Sequence, residues 1–468
     1  MTYPIHAQIQ GPLVMIGFGS IGRGILPLIL RHITFDDFSV IEPSAEFAHI
    51  LTEHGIRHHQ LALTPDNLSS VIRGLFPEGK GMIVNLSVDV DSIELMVLCQ
   101  ELGVQYIDTV IEPWPGFYFG SALSNAERTN YPLREKVRAL GRQYQGGPTA
   151  VSCCGANPGM VSWLLKEALL QLAADTGHLG AMPECQADWA RLMQDLGVKG
   201  VHIAERDSQI SAQPKPKGVF VNSWSVDGLL SEGYQPAELG WGTHERRLPR
   251  DGHAFAKGDA IWIDRAGADT RVRSWCPDLG AQFGLIVTHN EALSIPDYFT
   301  VWKDGQAVYR PTCHYAYHPC NDAILSLHEI NGSGQLPAKK HILTADEIIS
   351  GGDDLGVLLY GHEKGVMWYG SRLSIAEARA LAPYQNATGM QVTSAVLAAI
   401  VWVAENQNMG FVEADEMDHA RCLAVQRPYL GRIETHYTDW TPLSHRINHF
   451  AEDGDDSDPW QFVNFLAS

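Results

Sequence analysis

The chain has 468 residues, of which 45% are hydrophobic, and its formal net charge is -20 at pH 7. The length corresponds to about three domain-sized units, and the apolar content is sufficient for buried cores. Because binding to a phosphate backbone requires clustered Lys and Arg, we expect no nucleic-acid partner. Two interpretations of the acidity stay open, namely attraction of a cationic ligand and solubility alone.

The sequence shows no sign of export or of a membrane span. The first twelve residues lack the basic and then apolar pattern of a signal peptide, and the apolar run 395–404 is too short to cross a bilayer. The eight cysteines contain no CxxC pair, so neither a zinc site nor a disulfide framework is indicated. We therefore expect a cytoplasmic protein with reduced thiols and no membrane contact.

Residues 13–42 predict a strand, a turn, a helix and a second strand. The turn contains a GxGxxG pattern made by Gly17, Gly19 and Gly22. In a dinucleotide site these glycines provide a tight turn, a close approach of the backbone to the pyrophosphate, and close packing of helix on strand. The helix N-terminus then points at the phosphates. We predict cofactor contacts from the three glycines and from Ser20 and Ile21.

Glu42 stands at the end of the second predicted strand. An acidic residue at this distance from the glycines accepts hydrogen bonds from the ribose hydroxyls. No Arg follows it, and its carboxylate repels a 2'-phosphate. The sequence therefore predicts NAD rather than NADP.

Strand and helix patterns continue to alternate as far as residue 154. The segments are 58–63, 67–76, 82–87, 92–102, 104–109 and 149–154. This alternation is typical of a Rossmann-like, doubly wound parallel sheet. We predict an NAD-binding domain over residues 1–155, completed by the apolar helix around 389–405.

Polar clusters follow three of these predicted strands. They are Asn85, Ser87 and Asp89; Asp108, Thr109 and Glu112; and Gly155, Ala156, Asn157 and Pro158. Such residues also serve as ordinary loop and cap residues. Open parallel sheets bind ligands beyond the carboxyl ends of their strands, so three clusters along one edge favour a nicotinamide site. All of them except Asp108, Glu112 and Gly155 are predicted cofactor contacts.

The pattern changes after about residue 200. Short β-like runs separated by Gly, Pro and Asp predict an antiparallel sheet, and the helix 159–175 connects it to the first domain. The predicted fold class is therefore α/β, a Rossmann-like sheet plus an α+β domain with a mainly antiparallel sheet. We assign residues 156–385 to substrate binding, catalysis and dimerisation, and residues 386–468 to a C-terminal return segment.

One segment has the composition of a metal site but not its spacing. His314 and His318 are four residues apart in "TCHYAYHPC", yet no HExxH motif is present and the segment is aromatic and flanked by Pro. We predict no metal.

Several motifs together resemble one enzyme family. They are "GFGSIGRG", "VNLSVDVDS", "YIDTVIEPW", "CGANPGMVS", "WSVDGLLSEG", "ELGWGTHE", "VTHNEALSIPDYFT" and "YHPCNDA". Over roughly residues 11–430 the chain resembles the bacterial homospermidine synthases, NAD-dependent relatives of the saccharopine dehydrogenases. The motifs from "IDTVIEPW" onward are much more specific than the glycine turn.

The resemblance implies a transferase that uses redox chemistry internally. Putrescine, or spermidine as an alternative aminobutyl donor, is oxidised by bound NAD, ammonia is lost, a second putrescine condenses, and the new imine takes the hydride back. Polyamines are then the partners, and the resemblance further suggests a homodimer.

The resemblance also implies a set of catalytic residues. Glu112, Glu205 and Glu232 form the acidic part, with Asn157 and His289 as hydrogen-bonding or proton-transfer partners. Taken singly, each Glu is better interpreted as a surface acid, and His289 also fits a neutral histidine in a sheet.

Trp224 lies between two serines, and its spacing alone favours a core position. The resemblance instead places its indole against the substrate. An indole attracts a cation without accepting a proton, so it can hold an ammonium or iminium group away from water.

The motifs contain no convincing lysine for covalent catalysis. Lys215 and Lys217 lie in a turn-like segment, "QPKPKG", that we expect to be exposed. The imines are therefore predicted to form between substrate molecules rather than with the protein.

Two other functions stay open on the sequence. A carboxyspermidine or saccharopine-type amine dehydrogenase would bind a substrate carboxylate through Arg, for which Arg206 and Arg128 are the candidates. A non-catalytic NAD-binding sensor would respond to the cofactor without turnover.

Overall fold

The computed structural model describes residues 3–118, 123–178, 180–446 and 454–467. The chain forms two compact units. The first comprises Met1–Gly120, Leu133–Met160 and Ala376–Leu430, and the second comprises Ser121–Pro132, Val161–Ile375 and Gly431–Ser468. Residues 386–468, predicted as one returning segment, are thus divided between the two units after residue 430.

A seven-stranded sheet forms the centre of the first unit. From one edge to the other its strands are Phe411–Glu413, Ala150–Ser152, Gln105–Asp108, Met82–Asn85, Ala7–Ile16, Ile33–Ile41 and Arg57–His59. All adjacent pairs are parallel. The strand order reverses at Ala7–Ile16, which makes the carboxyl end of that strand the expected ligand-binding position. The predicted doubly wound parallel sheet is confirmed.

Several helices lie wholly or mostly within the first unit. They are Ser20–His32, Ala48–Glu53, Leu68–Leu75, Ser92–Leu102, Asn130–Gln143, Ile375–Leu381, Ala387–Glu405 and His419–Gln426. Short 3₁₀ turns are formed by Ala414–Glu416 and Arg427–Tyr429. The strands Met82–Asn85 and Gln105–Asp108 are buried along their whole length, as expected for parallel strands covered on both faces.

The helix Ala387–Glu405 is the one helix in the described part of the chain that is long and apolar enough to cross a membrane. However, 83% of its most apolar window is buried inside the structure. It packs on the helices Ser20–His32 and His419–Gln426 of the same unit. The side chain of Asn386 caps it by accepting the N–H of Gly389 at 2.7 Å. The contacts are those of a core helix, and the sequence prediction placed this helix in the first domain.

An eleven-stranded sheet forms the centre of the second unit. Its main path runs through Gly252–Ala254, Ala260–Ala266, Pro236–Gly240, Thr312–His318, Gly200–Asp207, Gly352–His362, Gly365–Ser374 and Arg432–Thr438. The strands Arg271–Cys276, Gly280–Leu285 and Leu466–Ala467 attach to it at one side. Thr312–His318 and Gly200–Asp207 are parallel, whereas the other pairs of this sheet are antiparallel. The predicted mainly antiparallel second domain is confirmed.

Further elements of the second unit surround this sheet. The helices are Met160–Asp175, Gln186–Asp195, Val226–Gly233, Glu291–Tyr298, Asn321–Ser333 and Phe462–Phe465, with 3₁₀ turns at Ala126–Arg128 and Gly267–Asp269. Three two-stranded pairs join Val301–Lys303 to Gln306–Tyr309, Val219–Asn222 to Lys339–Ile342, and Ile210–Ser211 to Ile348–Ser350.

The central parallel strand pair of this sheet has two chemically different faces. Successive side chains of a strand point to opposite faces. Ala204 and Ala316 therefore belong to one face, where they pack in an apolar core with Phe462 and Phe465. Glu205 and its register partner Tyr317 belong to the other face. This second face contributes Glu205 and the tyrosines of the strand Thr312–His318 to the candidate site.

Candidate active site

The GxGxxG turn has the geometry that a dinucleotide requires. Gly17 has φ +91°, which favours glycine, and a Cβ at Gly22 would lie 2.5 Å from the carbonyl oxygen of Gly17. A Cβ at Gly19 would meet no protein atom within 4 Å. Gly19 is the N-cap of the helix Ser20–His32, and no side chain caps this helix end. The backbone N–H groups of the first turn, around Ser20 and Ile21, can therefore donate to phosphates.

Glu42 is held directly beside this turn. Its two carboxylate oxygens accept the backbone N–H groups of Phe18 and Ser44, each at 2.8 Å. Each oxygen keeps further acceptor capacity, so the carboxylate can still receive ribose hydroxyls. The turn and Glu42 therefore fit the adenosine and pyrophosphate part of a dinucleotide.

The predicted cofactor residues after the fourth strand along the chain form a local hydrogen-bonded loop. The side chain of Asn85 accepts the N–H of Ser87 at 3.2 Å, and the hydroxyl of Ser87 accepts the N–H of Asp89 at 3.1 Å. The Asn85 amide also donates to the Tyr106 hydroxyl at 3.3 Å. Asn85 is buried and Asp89 is exposed, so this loop runs from the sheet outward.

Asp108 ties the neighbouring loop to the same edge. Its carboxylate accepts the N–H of Cys153 at 2.6 Å and the hydroxyl of Tyr106 at 2.9 Å, and its carbonyl accepts the N–H of Cys154 at 2.8 Å. Burial raises the pKa of Asp108 to about 7, although the bonds from Cys153 and Tyr106 oppose the shift. The residue thus anchors the segment that leads into Asn157.

That segment makes a tight loop. The N–H of Gly155 donates to the carbonyl of Pro158 at 2.6 Å. Thr109 lies beside Gly155, since a Cβ on that glycine would be 3.6 Å from the Thr109 methyl carbon. Ala156 and Pro158 are buried, while Asn157 is partly exposed. The predicted cofactor residues of the second and third clusters therefore lie at one end of the first unit's sheet.

Glu112 is buried in the first unit. Its backbone N–H donates to the Ser92 hydroxyl at 3.0 Å, and its carbonyl accepts the N–H of Ser92 at 2.7 Å. A buried carboxylate requires compensating polar partners, so the interpretation of Glu112 as a surface acid is wrong.

Trp224 of the second unit lies between the strand Val219–Asn222 and the helix Val226–Gly233. Ser225 caps this helix by accepting the N–H of Gly228 at 3.0 Å. The indole lies over the first helical turn, because a Cβ at Gly228 would be 2.8 Å from Cζ3 of Trp224. The indole Nε1–H donates to the Tyr317 hydroxyl at 2.8 Å. Trp224 is only half-buried, which differs from a core tryptophan.

Tyr317 continues the contacts toward Glu205. Its ring stacks on that of Tyr315, with centroids 5.3 Å apart and planes inclined by 10°. The Tyr315 hydroxyl donates to the carboxyl of Glu205. Burial raises the pKa of Glu205 to about 8, and the bond from Tyr315 opposes this shift. Glu205 can therefore take up and release a proton near neutral pH.

His289 lies between two carboxylates. Its Nε2 is 3.0 Å from Oε2 of Glu232, and its Nδ1 is 3.3 Å from Oε1 of Glu291. Its ring is also 4.3 Å from that of Tyr315, measured between centroids. Burial lowers the pKa of His289, but Glu232 and Glu291 more than offset this and hold it well above the ordinary value. The two carboxylates therefore favour the protonated imidazole, and His289 precedes the helix Glu291–Tyr298 instead of lying in a strand.

The second unit thus links four of the predicted catalytic residues in one chain of contacts that runs through Tyr317 and Tyr315. The four residues are Trp224, Glu205, His289 and Glu232. Glu112 and Asn157 belong to the first unit. Sequence reasoning missed Tyr315, Tyr317 and Glu291. The alternation in "HYAYH" placed both tyrosines on one strand face, and Glu291 follows His289 by two residues, so weak signals were present.

The structure also describes Lys215 and the pair His314 and His318. Lys215 is not exposed as expected, because its side chain is buried and forms an ion pair with Glu329. His314 and His318 lie on the strand Thr312–His318, and the described residues contain no group of three or more His, Cys, Asp or Glu side chains that could hold a metal ion.

Comparison with known proteins identifies the family of the chain. Residues 13–151 match the Saccharopine dehydrogenase NADP binding domain, and residues 155–439 match the Saccharopine dehydrogenase C-terminal domain. The homospermidine synthase of Mesorhizobium japonicum is 57% identical, over 100% of this chain and 98% of the relative. That of Blastochloris viridis is 58% identical, over 99% of both. The chain belongs to the homospermidine synthase family.

Solved structures support the same family. The homospermidine synthase of Legionella pneumophila, solved in complex with NAD, is 40% identical, with a TM-score of 0.90 and 99% coverage of both chains. Saccharopine dehydrogenase of Saccharomyces cerevisiae has a TM-score of 0.50 at 9% identity, over 92% of this chain and 100% of that one. At that identity the yeast structure shows a shared fold alone.

Proposed function

We propose that this chain catalyses homospermidine synthesis, in which the aminobutyl group of one putrescine is transferred to a second with release of ammonia. The single observation that carries the proposal is the contact chain from Trp224 through Tyr317 and Tyr315 to Glu205 and His289. It combines an aromatic surface with titratable groups, which suits a cationic amine. Full-length identity to two homospermidine synthases supports the same reaction.

NAD is the cofactor, and when bound it accepts hydride from the amine-bearing carbon of the donor and returns it to the imine formed with the second amine. The residues that would hold it are the glycines of the GxGxxG turn, Glu42 and the polar loops after the strands of the first unit. Gly19 would present its bare backbone to the pyrophosphate, and Glu42 would accept the ribose hydroxyls.

The residues of the second unit must bind a cationic amine and yet allow its reacting nitrogen to lose a proton. An alkyl ammonium with pKa about 10.4 costs roughly 4.6 kcal/mol to deprotonate at pH 7. A carboxylate 4 Å away attracts it by about 4 kcal/mol at an effective dielectric of 20, but it also raises the pKa of the amine.

The charges around His289 limit how far the carboxylates raise the pKa of the bound amine. The imidazolium of His289 neutralises part of the charge of Glu232 and Glu291. Glu205, with a pKa of about 8, is protonated at neutral pH and titrates just above it. In this arrangement Glu232 binds the distal ammonium and Glu205 transfers protons at the reacting nitrogen. Trp224 holds the cationic imine without accepting its proton and excludes water from it.

The amine dehydrogenase function is less compatible with this site. That chemistry needs Arg beside the reacting carbon to bind a substrate carboxylate. Arg206 follows Glu205 in the strand Gly200–Asp207, so its side chain belongs to the opposite face of the sheet. Arg128 donates to the side chain of Asn125, in its own segment.

The decisive experiment uses purified protein, putrescine and substoichiometric NAD, with products separated by chromatography. Homospermidine and ammonia should form in equal amounts that exceed the NAD present many times over. NADH that accumulates mole for mole with consumed amine would indicate a dehydrogenase, and no turnover would indicate a sensor. Homodimeric assembly and a cytoplasmic location stay proposals, the first of which light scattering tests.

A further inference from the structure

We infer that Tyr315 and Tyr317 are positioning residues for homospermidine synthesis, with Tyr317 orienting the indole of Trp224 and Tyr315 orienting the carboxyl group of Glu205. The inference rests on the proposed function. It concerns two side chains that touch the predicted catalytic residues without having been identified from the sequence.

The indole of Trp224 donates its hydrogen bond to a defined acceptor. Its indole is half-buried, and its Nε1–H points to the Tyr317 hydroxyl at 2.8 Å. The indole also lies over the first turn of the helix Val226–Gly233, where Gly228 leaves room for Cζ3. Gly228 permits the close approach but does not select one rotation of the ring. A directional hydrogen bond does so, because the N–H donor occupies a single position on the indole.

The two tyrosines form one rigid unit. They lie two residues apart on the strand Thr312–His318, so their side chains share a face. Their rings are stacked and both are buried. Rotation of either ring would disrupt the stack. The strand therefore presents two hydroxyls at a fixed spacing, one to Trp224 and one to Glu205.

This arrangement has a chemical consequence. The aromatic surface that retains the imine and the carboxyl that moves its proton are held by the same strand. A change in one hydroxyl should disturb one function and spare the other. The matched pair Tyr317→Phe and Tyr315→Phe separates them, since each removes one oxygen and keeps the stacked ring.

Tyr317→Phe leaves the indole N–H without its partner. We expect kcat to fall about tenfold, because the indole then has no fixed acceptor to select its orientation against the imine, with the NAD dissociation constant unchanged. Aminobutyraldehyde should appear as a released product. In the Trp224→Phe background the hydroxyl has no indole N–H to orient, so the double variant should be no slower than Trp224→Phe alone.

Tyr315→Phe removes the hydrogen bond that holds the pKa of Glu205 down. The charged neighbours Asp207, His289 and Glu291 stay in place. The Glu205 limb of the pH–rate profile should move to higher pH, with no increase in released aldehyde. Tyr317→Phe should leave that limb unmoved.

The outcomes separate the inference from the proposed function. Wild-type protein that forms no homospermidine would overturn the proposed function. If the wild type is active and Tyr317→Phe matches it, or if the effects of Tyr317→Phe and Trp224→Phe multiply, the positioning role is overturned alone. Should Tyr317→Phe fold poorly on thermal denaturation, replacing Trp224 with benzothienylalanine, which keeps the bicyclic shape and lacks the N–H, must give the same tenfold loss and the same aldehyde release.

Discussion

Nε2 of His289 lies 3.0 Å from Oε2 of Glu232, and the pair is largely buried. The carboxylates of Glu232 and Glu291 outweigh the effect of burial and raise the pKa of His289 well above its ordinary value, which favours the protonated imidazole. The cluster is therefore less negative than its carboxylates suggest. This matters for a diamine, whose reacting nitrogen must lose a proton while its distal nitrogen keeps one.

Replacing Glu232 with Gln should lower the pKa of His289, since one of the two raising charges disappears. The corresponding limb of the pH profile of kcat/KM should move to lower pH, and kcat/KM at pH 7 should fall by at least about tenfold. The matched control is Glu347→Gln, which breaks the half-exposed pair of Glu347 with His341 at 2.8 Å. Exposed pairs contribute little, so this control should leave kcat/KM unchanged. A Glu232→Gln profile that superimposes on that of the wild type would contradict the role of the pair.

Replacing Trp224 with Ala should reduce homospermidine formation and release aminobutyraldehyde, because water reaches the imine once the indole is gone. NAD binding should be intact, as measured by fluorescence titration. Trp224→Phe should retain part of the turnover, since a phenyl ring still attracts a cation, although less than an indole. If both variants behave alike and neither releases aldehyde, Trp224 has only a packing role.

The pKa of Glu205 predicts a pH dependence of stability. Its folded-state pKa of about 8 lies above the ordinary 4.5, so the native state binds the extra proton and stability is lost as pH rises through about 8. Glu205→Gln cannot lose a proton. Its thermal denaturation midpoint should therefore fall less between pH 6 and pH 9 than that of the wild type, and its turnover should drop by a factor on the order of 10².

The control for this prediction is Glu245, whose pKa burial raises to about 7. Its carboxylate accepts the N–H of Phe462 at 2.9 Å and the hydroxyl of Thr312 at 2.7 Å. Glu245→Gln should flatten the pH dependence of stability in the same direction and leave the pH–rate profile unchanged. A Glu205→Gln protein as pH-sensitive as the wild type would exclude the raised pKa.

Three glycine variants test the cofactor site. Gly19→Ala should keep the fold and weaken NAD binding by about tenfold or more, because its Cβ meets no protein atom within 4 Å and projects to where the pyrophosphate approaches. Gly22→Ala should also destabilise the protein, since its Cβ would lie 2.5 Å from the Gly17 carbonyl. Gly74→Ala, on the helix Leu68–Leu75 and also free of contacts, should leave the NAD dissociation constant unchanged. Calorimetry measures the NAD dissociation constant, and thermal denaturation measures the stability of each variant. Unaltered NAD binding by Gly19→Ala would mean that the pyrophosphate binds elsewhere.

Borohydride trapping tests where the imine forms. Lys215 is engaged with Glu329, so it offers no free amine at rest. Radiolabelled putrescine incubated with protein, NAD and borohydride should label small molecules and leave the chain unlabelled. Label that stays on the denatured chain would show a protein-bound imine.

Much of the first unit could be predicted from local patterns. The glycine turn, Glu42 and the alternation of strands and helices appear in contiguous segments, because a βαβ unit forms from residues close in sequence. The polar clusters after the strands could be predicted in the same way, since the carboxyl ends of parallel strands lie at one edge of the sheet. The burial of Glu112 and the anchoring of the Asn157 loop by Asp108 could not be predicted, because both depend on neighbours from separate strands.

Sequence by itself determined the fold class, the dinucleotide turn and, through the resemblance of long motifs, the family. Only the tertiary structure decided the protonation and the orientation of the reacting groups. Glu205 and Tyr315 are 110 positions apart, and His289 is 57 positions from Glu232. Their burial and mutual contacts set the pKa values and the orientation of Trp224. Protonation depends on local dielectric and distance, which exist only once these strands and helices have packed.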